Sequence, residues 1–145
     1  MSESNALQIA LHKLIWPWEG CKLEAYWDAD GEVWTIGRGH TNNVSQGDTC
    51  TQAQADAWST IDACWAFHAV KYSVHVVLNE NQFAALISFE YNTGAFTEGA
   101  PIVARINAND FAGAMEHLML YVNGANGFVQ GLYNRRLAEK ALFES

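Results

Sequence analysis

Trp16-Pro17-Trp18-Glu19-Gly20, followed by Ala25-Tyr26-Trp27-Asp28-Ala29-Asp30-Gly31-Glu32-Val33-Trp34-Thr35-Ile36-Gly37-Arg38-Gly39-His40-Thr41, is the part of the chain from which the rest can be placed. Residues 22–27 and 33–41 are aromatic and β-branched runs. They flank the turn sequence 28–32, and together they predict a β-hairpin. Gly37 and Gly39, bracketing Arg38 just before His40, mark tight backbone at a strand end. Upstream, Leu7, Leu11, Leu14 and Ile15 recur at helical spacing, giving a helix over about residues 4–16. Pro17 disfavours helical geometry at Trp16, so this helix should bend or end there.

Downstream the pattern turns helical. Thr51-Gln52-Ala53-Gln54 is a capping-box sequence opening a helix to about Val70. Asn79-Glu80-Asn81-Gln82 opens a second, with Phe83, Leu86, Ile87 and Tyr91 on one face and a stop at Asn92-Thr93-Gly94. A short helix should follow Pro101. Asn109 is placed to cap another through Tyr121, Gly124 and Gly127 mark a loop, and 132–143 is a last amphipathic helix. One helix, a small sheet and then mostly helices read as an α+β fold. With no linker or repeat, residues 1–145 are expected to form one domain. Its β-rich lobe would cover about 20–48 and its helical lobe about 1–18 and 50–145, with a cleft between them.

Composition narrows the function. The net charge of −8 argues against a nucleic-acid binder, which needs a basic footprint, and against docking by bulk charge on an anionic surface. Cys21, Cys50 and Cys64 are an odd count without paired spacing, which fits folding in a reducing cytoplasm. The stretch 6–18 is broken by Gln8, His12, Lys13 and Pro17, so neither a membrane span nor a secretory signal is expected. Six tryptophans are many for this length. Tryptophan suits both cores and sugar-facing clefts, and core is the safer expectation for most of them.

Cleaving a glycosidic bond takes two carboxyl groups, one to protonate the leaving oxygen and one to activate water or attack the sugar. The first wants an apolar pocket and the second a wetter site. Glu19 lies among aromatics at the helix-to-sheet junction, and Asp28 opens the polar hairpin turn nine residues later. Taken alone, each is as well explained as a solvated helix end and a turn-forming aspartate.

The full pattern resolves the ambiguity. Glu19-Gly20, Tyr26-Trp27-Asp28 and Thr35-Ile36-Gly37-Arg38-Gly39-His40 resemble the phage-type lysozymes of lambdoid and T-even phages. The likeness continues through Asn81-Gln82-Phe83, Ala85-Leu86, Ser88-Phe89, Asn92 and Gly94 to Gly131-Leu132, Arg135-Arg136 and Glu139. It departs from the family at Pro17 and at Glu90, where a small or apolar residue is usual. The resemblance implies a lysozyme-like fold and hydrolysis of the β-1,4 bond between N-acetylmuramic acid and N-acetylglucosamine in peptidoglycan, with no cofactor and no metal. Glu19 would be the general acid, Asp28 the second carboxylate, and Thr35 a hydroxyl that helps place the attacking water, with inversion at the anomeric carbon. His40 would make a structural hydrogen bond near the cleft, and Gly37 and Gly39 would leave room where the sugar or His40 packs close. Trp34 and Arg135 are candidate substrate contacts, although Arg135 is equally suited to bridging helices. Asn92 and Phe96 are candidate groove residues or plain loop.

The implied setting is a monomer that accumulates in a host bacterium's cytoplasm and reaches the wall only through a hole made by a holin-type protein. Three other readings compete. A zinc peptidase would draw on His12, His40, His68, His75 and His117, but none stands in a His-Glu-x-x-His spacing. A lytic transglycosylase would need only the acid, so Asp28 and Thr35 favour hydrolysis. A non-enzymatic wall-binding module would not need to keep Glu19, Asp28 and Thr35 together.

Overall fold

The computed structural model describes residues 3–145. The first helix does not stop at Trp16. α1 (Glu3–Ile9) passes into a π-helical turn (Ala10–Ile15) and continues as α2 (Trp16–Glu19). Pro17 lacks an N–H and its ring crowds the carbonyl four residues back. The wide turn immediately upstream loosens that carbonyl ladder, and Trp16 keeps helical angles (φ −63°, ψ −43°). Gly20, at φ 65°, ends the helix.

β1 (Lys22–Asp28) and β2 (Val33–Gly37) form the expected antiparallel hairpin. Tyr26 stands opposite Thr35, and Asp28 opposite Val33, with a register shift between Lys22 and Tyr26. β2 ends at Gly37 rather than Thr41. Gly37 (φ 65°) and Gly39 (φ 87°) reverse the chain there, and Ile36 and His40 exchange both backbone hydrogen bonds at 2.9 Å. Residues 48–50 add a short edge, Ala25 N–H donating to Asp48 and Cys50 N–H to Leu23.

α3 (Gln52–Ser73) then connects the two lobes. Its capping box at Thr51 and that of α4 (Glu80–Thr93) at Asn79 are both formed, and Gly94 ends α4 in the left-handed conformation. α5 (Pro101–Asn107) and α6 (Phe111–Leu118) follow. Asp110, not Asn109, caps α6 by accepting from Gly113 N–H, and α6 stops at Leu118, short of Tyr121. The expected loop at Gly124 and Gly127 is a small hairpin, β3 (Asn123–Gly124) with β4 (Gly127–Phe128), before α7 (Gln130–Glu144).

α4 is the axis of the helical lobe. Its residues 83–89 are all buried, and α1, the π-turn, α3 and α7 pack around it. The core joins Ala10, Leu11 and Ile15 to Leu86, Ile87, Phe89, Ile102, Met115 and Phe143. The tryptophans depart from expectation. None of the six is fully buried, and Trp18, Trp27 and Trp65 are exposed. Among the described residues no helix is long and apolar enough to cross a membrane.

Candidate active site

Glu19 ends α2, and its side chain is 15% exposed. Its Oε1 accepts from Arg135 of α7. The other side of the carboxylate lies against Gly39, where a Cβ would overlap Oε2. A guanidinium on one side and bare backbone on the other thus hold the Glu19 carboxylate. Arg135 is held from behind by α4, donating to the Ser88 carbonyl and hydroxyl at 3.3 Å, and lies 3.4 Å from Glu139. Ser88 donates to Glu139 at 2.6 Å, and Arg136 pairs with the same carboxylate at 2.6 Å. A buried ionic cluster therefore anchors the base of Glu19.

Tyr26, Asp28 and Thr35 share one face of the hairpin, because directly opposed residues and residues two apart point the same way. Asp28 uses Oδ1 to accept from Asp30 and Gly31 N–H at 3.0 and 3.3 Å, while Oδ2 has no hydrogen bond among the described residues. Thr35 is 2% exposed and spends its only donor on the Val33 carbonyl, leaving lone pairs that accept. Burial, then the charges of Asp28 and Glu19, raise the Tyr26 phenol pKa.

The glycine turn is clamped by groups on α3 and α4. His40 Nδ1 lies 2.7 Å from Asp62 of α3, and its ring stacks on Trp58. Tyr91 of α4 donates to the Arg38 carbonyl at 2.7 Å and meets Ser59, which accepts from the Trp16 indole N–H. Gly37 lies against Ala55 of α3, not against His40 or an open groove.

A cleft of about 280 Å³ opens between the lobes, lined by Asp28, Asp30 and Gly31 from the hairpin and by Asn92, Asn123 and Arg136 from the helical side. Asn92 belongs to it as expected, with its Oδ1 accepting from Arg136 at 2.8 Å. Glu19 is not among its lining residues. Three candidate contacts are corrected. Phe96 is fully buried in the helical core. Arg135 is buried on Glu19 and Glu139 and presents no free fork to a substrate carboxylate. Trp34 packs edge-on against Trp27 on the hairpin face opposite Asp28 and Thr35. Glu90 accepts from Phe96 N–H at 2.6 Å, and burial raises its pKa while that bond partly offsets the rise. The spacing of Arg135 and Arg136 to Glu139, four and three residues on one helix, is the signal that could have revealed the ionic cluster.

An α+β body with one carboxylate at a helix end and another on the hairpin that follows it is the architecture of lysozymes. The phage lysozyme family model matches residues 17–139. The endolysin of Acyrthosiphon pisum secondary endosymbiont phage 1 is 39% identical over 138 residues, covering 91% of this chain and 93% of that protein. The endolysin of Salmonella phage P22 is 34% identical over 134 residues, covering 88% and 90%. The muramidase domain of SpmX from Asticaccaulis excentricus superposes with a TM-score of 0.80 at 31% identity, covering 99% and 97%. The chain belongs to the phage lysozyme family, and it is an enzyme of the lysozyme class.

Proposed function

We propose that this lysozyme hydrolyses the β-1,4 bond between N-acetylmuramic acid and N-acetylglucosamine in bacterial peptidoglycan, in host-cell lysis, with inversion. The observation that carries this is the division of labour around Glu19. Arg135 and Gly39 fix its carboxyl at the helix end, while Asp28 and Thr35 share one face of the hairpin that follows. Glu19 donates its proton from the oxygen that Arg135 does not hold to the leaving glycosidic oxygen, and Arg135, already bonded to Oε1, stabilises the carboxylate that remains. A water donating one hydrogen to Asp28 and the other to Thr35 Oγ1 turns a lone pair toward the anomeric carbon. Asp28 takes up the proton as the water attacks from the face opposite the leaving group, which inverts the configuration. The residues alone do this work, in a monomer.

Proton NMR of fresh digests should show the α-anomer as the first-formed reducing end, and mass spectrometry should show hydrated rather than anhydro termini. A β-anomer first would make Asp28 a nucleophile, and anhydro products would make the enzyme a transglycosylase. Glu19→Gln should abolish lysis and keep the fold. A variant that still lyses cells would remove Glu19 from the mechanism, and a wild-type protein that binds purified peptidoglycan without turnover would be a binding module. We further infer that the protein waits in the host cytoplasm for a holin-type partner. Fractionation without that partner should find it inside the inner membrane.

A further inference from the structure

Gly37 and Gly39 bracket Arg38 with no β-carbon on either side, so the turn that seats Glu19 has little stiffness of its own. Its central peptide is held from outside. The Arg38 carbonyl, which shares a peptide plane with the Gly39 nitrogen, accepts from the Tyr91 hydroxyl of α4 at 2.7 Å. We propose that Tyr91 is a positioning residue for the reaction, setting through this peptide where Gly39 meets the Glu19 carboxylate. The inference rests on Glu19 being the general acid and adds a residue that acts through the seat of that acid.

The hydrogen bonds around Tyr91 run in one direction. A phenol has one proton, and here it goes to the nearer acceptor, the Arg38 carbonyl. Ser59 of α3 lies 3.2 Å from the same phenol oxygen and turns its own proton toward it. Ser59 in turn accepts from the Trp16 indole N–H at 2.9 Å. Trp16, Ser59, Tyr91 and the Arg38 carbonyl thus form a chain with a donor and an acceptor at every link. Ser59 is buried and Tyr91 half-buried, and links of such a chain strengthen one another where burial lowers the local dielectric.

Both ends of the chain lie beside the acid. Trp16 stands three residues before Glu19 in α2, about one helical turn away, and Arg38 immediately precedes Gly39. The chain ties the helix that carries the carboxyl to the backbone on which the carboxyl rests. α4 closes the arrangement from behind. Ser88 and Tyr91, three residues apart and so on one side of that helix, hold the two walls of the seat, Ser88 through Arg135 and Tyr91 through Gly39. The Arg38 side chain is anchored separately, on Asp56 at 2.8 Å and over the Trp16 ring at 4.7 Å. Loss of the Tyr91 hydroxyl would free the peptide and leave that side chain in place. A displacement of about 1 Å at a reacting group can cost about a hundredfold in rate, so a small rotation of this peptide is felt in the chemical step.

Steady-state kinetics of the full chain on glycan strands, measured well below the melt, test this with Tyr91→Phe and Ser59→Ala. Tyr91→Phe should lower kcat about tenfold and keep KM within about twofold. Ser59→Ala, which leaves the bond to Arg38, should cost less, and the double variant should be no slower than Tyr91→Phe alone. The Trp16 indole N–H signal in proton–nitrogen NMR should move upfield in Tyr91→Phe, because the chain beyond Ser59 is cut. A kcat that holds in Tyr91→Phe, a loss confined to KM, additive losses in the double variant or an unmoved indole signal would overturn the proposal. Glu19→Gln keeps the two readings apart. An inactive Glu19→Gln beside a Tyr91→Phe of full kcat faults the positioning role alone, and an active Glu19→Gln faults the catalytic reading beneath it.

Discussion

Gly39 answers to two demands at once, a left-handed backbone (φ 87°) and an α-carbon bare enough for the Glu19 carboxylate to rest on. Alanine fails both. The left-handed conformation costs a non-glycine residue about 1–2 kcal/mol, and its methyl would displace the carboxylate. Gly39→Ala should therefore lower Tm modestly and cut kcat far more than it changes KM, as measured by steady-state kinetics on glycan strands. An unchanged kcat would show that the carboxylate does not need this seat. Glu90 gives a prediction in pH. Its pKa is raised in the folded protein by burial, so the native state holds the proton over a pH window in which the unfolded chain has lost it. Its stabilising effect is complete below the ordinary glutamate value and declines as pH rises through the folded value. Glu90→Gln keeps an acceptor for Phe96 N–H and removes that decline. The variant should match the wild type near pH 4 and melt higher at pH 7, and a Tm difference independent of pH would count against burial as the cause.

At the scale of elements, α4 and α7 are joined by charge as well as by packing. Glu139 is fully buried and compensates both Arg135 and Arg136. Glu139→Gln leaves two buried guanidinium groups with no neutralising partner in α7, and breaking such a cluster costs about 3 kcal/mol or more. Thermal denaturation should fall by roughly 10 °C for a chain of this size. Activity measured well below the melt should also fall, because Arg135 loses its backing behind Glu19. Elements with local signals were legible in the sequence. The Thr51 and Asn79 capping boxes and the Gly94 stop depend on residues three or four apart, and they formed as read. The hairpin was legible for the same reason. What was not legible depends on contacts distant in sequence. Arg135 reaches Glu19 across 116 residues, and Phe96 is buried by helices that its loop sequence does not mention. Asn109 lost its capping role to the adjacent Asp110, a one-residue choice that spacing alone does not decide.

At the scale of the whole molecule, the two lobes touch at the mouth of the cleft through their hairpin tips. Asp30 rests on Gly124 so closely that a Cβ there would overlap its carboxylate. Gly124→Ala should wedge the tips apart and raise KM for polymeric glycan several-fold with little effect on Tm. Asp30→Ala removes the collision. A double variant that returns to the KM of Asp30→Ala alone would trace the effect to this contact, and simple additivity would place its origin elsewhere.

The π-helical turn at Ala10–Ile15 has a consequence for chain length. A π-turn absorbs one surplus residue without changing the rotational phase of the helix on either side. Shortening the segment by one residue, at the exposed Lys13, should tighten it into an ordinary helix with Ala6 before it and Glu19 after it still facing inward. Tightening also restores the crowding of the Pro17 ring against the preceding turn, at a cost of about 3 kcal/mol. Lys13 deletion and Pro17→Ala should then be strongly non-additive, the deletion harmful with the proline present and nearly silent without it. The surplus residue and the proline would be tolerated as a pair, each making room for the other.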